Sequence, residues 1–320
     1  MTAPSHVSRR SLKSTRSAGA SRRTVAIALA ANALITVAKL IGGLASGSTA
    51  LLAEAAHSVA DTTNQAFLLG SISLAAREPT ETHPFGHGTQ RFLWTFVAAV
   101  GTFVAGAVFA VGYGVLELVK GPSEEGGFAA AWITLAIALA AEGASWVRAL
   151  RQTRREARER GKPIGRYVAE SRDPSVKMVL FEDSAALAGV VIAATGIALH
   201  QVTGSAVCDP AASILIGVLL IGVAVRMAAD TGRLLVGASA LPEEREAIER
   251  VLGEQPAVED VIELLTLVLG PNALLVAARI DIADGITGDQ LEQEMSGIDR
   301  AIREAVPDVT EVFLDPTPGR

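Results

Sequence analysis

Four polar side chains recur at helical spacing inside an apolar segment that is long enough to cross a membrane. They are separated by three, four and three residues: Glu54, His57, Asp61 and Asn64. On a helix these side chains project within one arc of roughly 80°. Ionisable groups at membrane depth are costly and usually serve a function. A neutral imidazole beside a carboxylate suits a divalent metal ion, and the structural alternative is a polar seam between helices.

Two adjacent carboxylates occupy a second apolar segment. Glu182 and Asp183 are followed by small residues spaced three or four apart, which let helices approach closely. If this segment faces the first, one or both carboxylates complete a site with His57 and Asp61. Three or four nitrogen and oxygen ligands suit zinc or another first-row divalent ion. The structural alternative is a carboxylate paired with a cation.

Further ionisable residues lie near these segments. His83 and His87 are four residues apart in a loop punctuated by proline and glycine, which either holds a metal ion or orients the neighbouring helices. We expect Lys39 to snorkel towards the membrane interface. Glu142 is either a relay for protons or metal, or a partner in a hydrogen bond between helices.

The composition indicates a membrane protein. Half of the 320 residues are hydrophobic and only 19% are charged, which is too apolar for an ordinary soluble chain. The single cysteine, Cys208, excludes an internal disulfide and a cysteine zinc cluster. We predict an all-α transmembrane domain over residues 24–235. Its six helices lie near 24–46, 51–75, 92–119, 128–150, 179–200 and 208–228.

The positions of the basic residues predict the orientation in the membrane. Residues 1–23 contain no acidic residue and are expected to form a disordered basic tail, and a second basic connection runs from Arg148 to Lys177. By the positive-inside rule both segments are cytoplasmic. An even number of helices then places both termini in the cytoplasm. A bacterial inner or plasma membrane is the expected location.

Residues 241–320 have the pattern of a small cytoplasmic domain. We predict the order α-β-β-α-β of a ferredoxin-like fold, in which Gly270-Pro-Asn272 is the turn between the first two strands. The expected elements are Pro242–Leu252, Val258–Leu269, Ala273–Ile282, Thr287–Val306 and Val309–Leu314.

Three motifs make this sequence resemble the cation diffusion facilitator family. They are Ala55-Ala-His57-Ser-Val-Ala-Asp61, His83-Pro-Phe-Gly-His87-Gly and Cys208-Asp209-Pro210-Ala-Ala-Ser213. The resemblance covers the chain from about residue 24 onward. Phe181-Glu-Asp-Ser-Ala-Ala resembles the subgroup that includes the mitochondrial member of the zinc transporters.

The resemblance implies a homodimer that exchanges a cytoplasmic divalent metal, usually zinc, for protons. It implies a transport site of two residues on the second helix, matched by His57 and Asp61, and two on the fifth. On the fifth helix two registers remain open. Asp183 takes the second position with Val179 in the first, or Glu182 takes the first with Ala186 in the second; we lean towards Asp183.

The resemblance also implies a loop metal site of one aspartate and two histidines. His83 and His87 match the histidines, whereas Thr80 stands in the aspartate position and Glu81 compensates. The family's cytoplasmic domain often binds metal through histidines, but this chain has none after His200. We therefore expect no metal sensor there.

The leading hypothesis is a proton-coupled antiporter that exports a divalent metal, zinc first, across the bilayer. We expect no enzymatic activity, no prosthetic group and no nucleic-acid partner. Alternatives are export of manganese, iron, cobalt or nickel, a channel, a membrane hydrolase, or a non-transporting metal sensor. No His-Glu-x-x-His pattern supports the hydrolase.

Overall fold

The computed structural model describes residues 29–30, 32–121 and 127–317. The predicted basic tail, residues 1–23, lies outside the described residues. Most of the described chain is helical. The helices are α1 (Asn32–Ser46), α2 (Thr49–Ala75), α3 (Thr89–Lys120), α4 (Phe128–Glu159), α5 (Ile164–Glu170), α6 (Pro174–Thr203), α7 (Cys208–Val236), α8 (Pro242–Gly253) and α9 (Gly288–Ala305).

Four of the described helices are long and apolar enough to cross a membrane: α3, α4, α6 and α7. The described part of α1 is a shorter apolar helix. Helix α2 has 27 residues and carries the polar stripe that begins at Glu54. The prediction of a multi-pass membrane protein is thus confirmed, and the number of six spans stays a prediction.

Helix α4 is longer than its apolar part. The apolar pattern ends near residue 150, but the helix continues to Glu159 through the basic run that starts at Arg151. Arginine, glutamate, glutamine and alanine are strong helix formers, and Gln152 donates a hydrogen bond to Glu156 one turn later. Hydropathy therefore marks where the apolar environment ends, whereas the helix itself ends at Glu159, two residues before Gly161, whose φ is +64°.

The described chain divides into two compact units. The first contains the described residues up to Ile72, Val97–Glu156 and Met178–Ala228. Its buried core is rich in alanine, which lets helix backbones approach closely. Larger side chains fill the remaining space: Leu51, Phe103, Ile197, Ile216 and Leu220.

The second unit contains Ser73–Phe96, Ala157–Lys177 and the residues from Ala229 onward. Its three strands are β1 (Val258–Gly270), β2 (Ala273–Ile282) and β3 (Val309–Pro316). β2 is central, antiparallel to β1 and parallel to β3.

The alternating burial of β2 explains how the sheet packs. Leu274, Val276, Ala278 and Ile280 are buried on one face, where they share a core with Ile248 and Leu252 of α8 and Ile298 and Ile302 of α9. The predicted order α-β-β-α-β is confirmed, with element ends within two residues of prediction. The ferredoxin-like assignment stays a prediction.

Candidate metal-binding site

The polar stripe of α2 is buried along its whole length. Glu54 and His57 have no exposed surface, and Asn64 and Asp61 are 1% and 5% exposed. His57 Nε2 lies 3.5 Å from Asp61 Oδ2, as expected for side chains one turn apart. The predicted shared helical face is therefore present.

Several polar atoms of this stripe have no hydrogen-bond partner among the described residues. They are Glu54 Oε1, both ring nitrogens of His57, Asp61 Oδ1 and Asn64 Oδ1. Buried polar groups are nearly always satisfied, because an unsatisfied one costs about 1–3 kcal/mol. Free electron pairs on imidazole and carboxylate groups are what a divalent cation accepts. One ring nitrogen of a neutral His57 and Asp61 Oδ1 are therefore donors suited to a metal ion.

Glu182 of α6 extends this donor set across to a second helix. Asn64 Nδ2 donates a hydrogen bond to Glu182 Oε2 at 3.1 Å, and Asn64 lies on the same buried face of α2 as Asp61. Glu182 is 5% exposed, and its Oε1 has no hydrogen-bond partner in the described part of the chain. Helices α2 and α6 thus bring His57, Asp61 and Glu182 into one buried region.

Asp183 points to a different neighbour. Its Oδ2 accepts a hydrogen bond from Ser145 Oγ of α4 at 3.1 Å. Adjacent residues on a helix diverge by about 100°, so Glu182 and Asp183 do not share one direction. Val179 is 40% exposed and Ala186 is buried; neither side chain supplies a donor atom. The geometry favours Glu182 as the carboxylate nearer to the α2 stripe.

The site is not a closed coordination sphere as it stands. Within the described ranges, no three histidine, cysteine, aspartate or glutamate side chains are clustered tightly enough to hold a metal ion. His57, Asp61 and Glu182 are neighbours, but their donor atoms do not converge on one point. Loading a cation would require these side chains to rotate towards it.

His83 and His87 are brought together in the loop after α2. Their rings stack with centroids 4.4 Å apart. Paired backbone hydrogen bonds join Thr80 and His83, and Gly86 adopts a φ of +83°, which favours glycine. His87 is 7% exposed and its Nδ1 has no hydrogen-bond partner among the described residues. Glu81 is exposed.

The transmembrane part of the chain matches a known family of transporters. Residues 25–236 match the cation efflux transmembrane domain, which is two thirds of the chain. The chain belongs to the cation efflux family. Members of this family are transporters, so the prediction that the chain is not an enzyme is confirmed.

Several curated proteins resemble most of this cation efflux chain. It is 32% identical over 296 residues to the proton-coupled zinc antiporter SLC30A9, mitochondrial, of Homo sapiens, a match that covers 91% of the chain and 52% of that protein. It is 32% identical over 262 residues to metal tolerance protein C4 of Arabidopsis thaliana, covering 82% of the chain and 57% of that protein. The chain therefore spans about half the length of these relatives.

A shorter match concerns a different metal. The manganese efflux system protein MneP of Bacillus subtilis is 33% identical over 103 residues, covering 32% of the chain and 34% of that protein.

The family match and the human and A. thaliana relatives confirm the predicted resemblance to cation diffusion facilitators, including the mitochondrial zinc transporter.

The position of Lys39 shows that the predicted snorkelling towards the membrane interface is wrong. Lys39 is 1% exposed and does not snorkel; its ammonium group lies 3.0 Å from Glu54 Oε2 and 3.2 Å from Glu142 Oε1. The sequence carried a signal for this contact, because a lysine and two glutamates in apolar segments must pair when they are buried. Their spacing along the chain does not reveal which helices meet.

Asp209 of α7 was also not identified from the sequence as a residue that positions α2. Its carboxylate accepts hydrogen bonds from Ser48 Oγ at 2.8 Å, from the Ala50 amide at 3.1 Å and from the Thr49 amide. It therefore caps the amino-terminal end of α2, where unpaired N–H groups favour an anion. This cap fixes the start of the helix that carries His57 and Asp61.

Proposed function

We propose that this chain is a proton-coupled antiporter that exports a divalent metal from the cytoplasm. The single observation that carries the proposal is the set of buried donor atoms without hydrogen-bond partners, among the described residues, on His57 and Asp61 of α2 and Glu182 of α6. Membership of the cation efflux family supports a metal cation as the cargo.

The coupling to protons follows from the ligand types. Metal binding needs a neutral imidazole and ionised carboxylates, so protons and metal compete for one site. Open to the cytoplasm, the site would bind metal and lose protons. Open to the opposite side, protons would displace the metal. The small residues of α6 would let the helices move against each other.

Zinc is our first candidate for the cargo. A mixed set of imidazole nitrogen and carboxylate oxygen suits zinc, and the human relative is named as a zinc antiporter. Manganese, iron, cobalt and nickel are the alternatives, since the B. subtilis relative is named for manganese efflux and carboxylate oxygens also suit harder cations.

The remaining features of the proposal concern architecture. We propose six transmembrane helices within residues 24–235, a cytoplasmic domain over 241–320 and a basic cytoplasmic tail over 1–23. Both termini are cytoplasmic, the membrane is a bacterial inner or plasma membrane, and the protein works as a homodimer. His83 and His87 form an accessory metal site, and Asp183 assists Glu182 on α6.

Proteoliposomes test the proposal directly. Protein reconstituted with a pH indicator inside should move zinc and protons in opposite directions, each depending on the other. His57→Ala and Asp61→Ala should abolish both fluxes and leave the protein folded. Thr63→Ala is the matched control, because Thr63 is exposed on the same helix and donates a hydrogen bond to the Val59 carbonyl of its own helix.

Three outcomes would contradict the proposal. Zinc flux without proton flux would indicate a channel. Zinc binding without flux would indicate a sensor. Full transport and full metal affinity in Asp61→Ala would place the site elsewhere in the molecule.

A further inference from the structure

A lysine and two glutamates form a buried charged cluster in the first unit, which we call the Lys39 cluster. The Lys39 ammonium group lies between Glu54 Oε2 at 3.0 Å and Glu142 Oε1 at 3.2 Å. The side chains are 1%, 0% and 11% exposed, respectively. The three residues belong to α1, α2 and α4, so the cluster joins three helices.

The Lys39 cluster lies one helical turn from the candidate metal site along α2, and Glu142 lies one turn from the residue that binds Asp183. Glu54 precedes His57 by three residues on the same face of α2. Glu142 precedes Ser145 by three residues on α4, and Ser145 donates its hydrogen bond to Asp183 of α6. One turn of helix rises about 5.4 Å, which is a short distance for charges that are shielded from water.

Helix α6 also packs directly on the Lys39 cluster. Gly189 of α6 lies so close that a Cβ at this position would overlap Glu54 Oε1. The close approach is possible because glycine has no side chain. The helix that carries Glu182 is therefore in contact with the cluster as well as with the site.

The electrostatic field of the cluster reaches the ligand groups. Lys39 is 1% exposed and lies 3.0 Å from Glu54, which is one helical turn from His57 on the buried face of α2. Charges that are shielded from water act on each other more strongly than charges in water. A cation entering between His57, Asp61 and Glu182 would therefore meet a fixed positive charge.

We propose that the Lys39 ammonium group is a fixed positive charge beside the transport site. This charge lowers the affinity of the site for a divalent metal and so permits release. The Glu142 carboxylate, 3.2 Å from the ammonium group, offsets part of this positive charge. The inference rests on the proposed function, because it assumes that His57, Asp61 and Glu182 bind the cargo. With one ammonium group and two carboxylates, the cluster has a formal charge of −1.

The physical reason is the balance between holding and releasing the cargo. Buried carboxylates and an imidazole bind a divalent ion strongly, and a carrier that binds too strongly releases slowly. Like charges repel across a medium of low dielectric constant more than across water. Lys39 would thus weaken metal binding by electrostatic repulsion, without being a ligand of the metal.

Zinc titrations of the purified full chain at constant pH and ionic strength test this inference. Lys39→Met removes the charge and keeps the length of the side chain. We expect zinc binding about tenfold tighter, and a lower maximal transport rate in proteoliposomes because release slows. A purely structural role predicts the opposite sign, since disturbed packing weakens binding.

Two further variants, which change or restore the charge of the cluster, keep the test from depending on Lys39→Met alone. Glu142→Gln raises the formal charge of the cluster to zero, so zinc binding should be about tenfold weaker. The double variant Lys39→Met/Glu142→Gln restores the formal charge of −1 and should return the affinity to near that of the unaltered protein. Accumulated structural damage would instead make the double variant the weakest binder.

The outcomes separate this inference from the proposed function. Unchanged or weaker zinc binding in Lys39→Met, an unchanged affinity in Glu142→Gln, or a double variant that binds no better than Glu142→Gln, would overturn the role of Lys39. Asp61→Ala serves as the reference for the site itself. Failure of the unaltered protein to bind and transport any divalent metal would overturn both proposals together.

Discussion

Asn64 and Glu182 join α2 to α6 through a single hydrogen bond, in which Asn64 Nδ2 donates to Glu182 Oε2 at 3.1 Å. This bond occupies one oxygen of Glu182 and leaves Oε1 buried without a hydrogen-bond partner in the described part of the chain. Asn64 therefore fixes the carboxylate in an orientation in which one oxygen remains available for a cation.

Replacing Asn64 should weaken metal binding without removing a ligand. We expect zinc affinity to fall about tenfold to a hundredfold in Asn64→Ala, because groups that orient a ligand typically contribute that much. Calorimetric titration of the purified protein measures the effect. Thr63→Ala, on the exposed side of α2, is the control and should bind as tightly as the unaltered protein. Unchanged affinity in Asn64→Ala would show that the bond is only structural.

The two carboxylates of α6 should differ in importance. Glu182 accepts a hydrogen bond from Asn64 of the α2 stripe, whereas Asp183 accepts one from Ser145 of α4. We expect Glu182→Gln to weaken zinc binding about a hundredfold and Asp183→Asn about tenfold or less. Equilibrium dialysis of both variants compares them. A larger loss in Asp183→Asn would support the register in which Asp183 is the direct ligand.

Exchanging the imidazole for a carboxylate should change the preferred metal. In His57→Asp the site has only oxygen donors, which favour harder cations such as manganese over zinc. We expect the ratio of zinc to manganese transport to fall about tenfold. Parallel uptake of both metals by proteoliposomes gives this ratio. The same ratio in the variant and the unaltered protein would remove His57 from the ligand set.

Gly189 should not tolerate a side chain. A methyl group there would overlap Glu54 Oε1, which cannot move freely because Glu54 is buried and paired with Lys39. We expect Gly189→Ala to destabilise the protein by about 1–3 kcal/mol. Gly101→Ala is the matched control, since nothing lies within 4 Å of a Cβ at that helical glycine, and it should be neutral or slightly stabilising. Thermal unfolding in detergent compares the two, and equal melting temperatures would contradict the close contact.

An ion-pair cluster around α5 should give a pH-dependent stability in the second unit. Hydrogen bonds from Lys162 and Arg166 lower the pKa of the Glu170 carboxyl group, and hydrogen bonds to Glu170 and Glu243 raise the pKa of the Lys162 ammonium group. Glu170 thus stabilises the fold above its unfolded-state pKa of about 4.3. That contribution is lost as the pH falls through the lowered pKa of the folded state.

Hydrogen exchange of α5 in the full chain measures this contribution. Glu170→Gln should reduce the protection of α5 near neutral pH, and the difference from the unaltered protein should vanish well below about pH 4. The Lys162 contribution is present below the unfolded-state pKa of about 10.4 and is lost as the pH rises through the raised value. Glu246 is an exposed carboxylate of α8, and Glu246→Gln should leave the protection of α5 unchanged. A difference between Glu170→Gln and the unaltered protein that persists in acid would contradict the mechanism.

Much of the fold was predictable because it depends on local patterns. The Gly270-Pro-Asn272 turn predicted where β1 ends and β2 begins, and the sequence pattern of residues 287–306 predicted α9, nearly to the residue. The end of α4 was not predictable from hydropathy, since the basic run from Arg151 forms helix without being apolar. Helical propensity and membrane burial are separate properties, and only the second changes near residue 150.

The candidate site was predictable in composition but only partly in arrangement. The spacing of His57 and Asp61 fixes their common face, because both lie on one helix. Which of Glu182 and Asp183 faces that side depends on the rotation of α6 against α2, which is a tertiary property. The same holds for Lys39, whose partners lie on two other helices.

The cap that Asp209 provides to α2 also constrains how the molecule can move. Two amides and one hydroxyl group at the start of α2 are held by a single side chain at the start of α7, so at this end neither helix can slide along the other. Motion of the pair would have to be a swing about this point, with displacement growing along each helix. Spin-label distances should then stay constant near residues 50 and 209 and change further along both helices when metal is added. A sliding motion would change the distance at the cap as well.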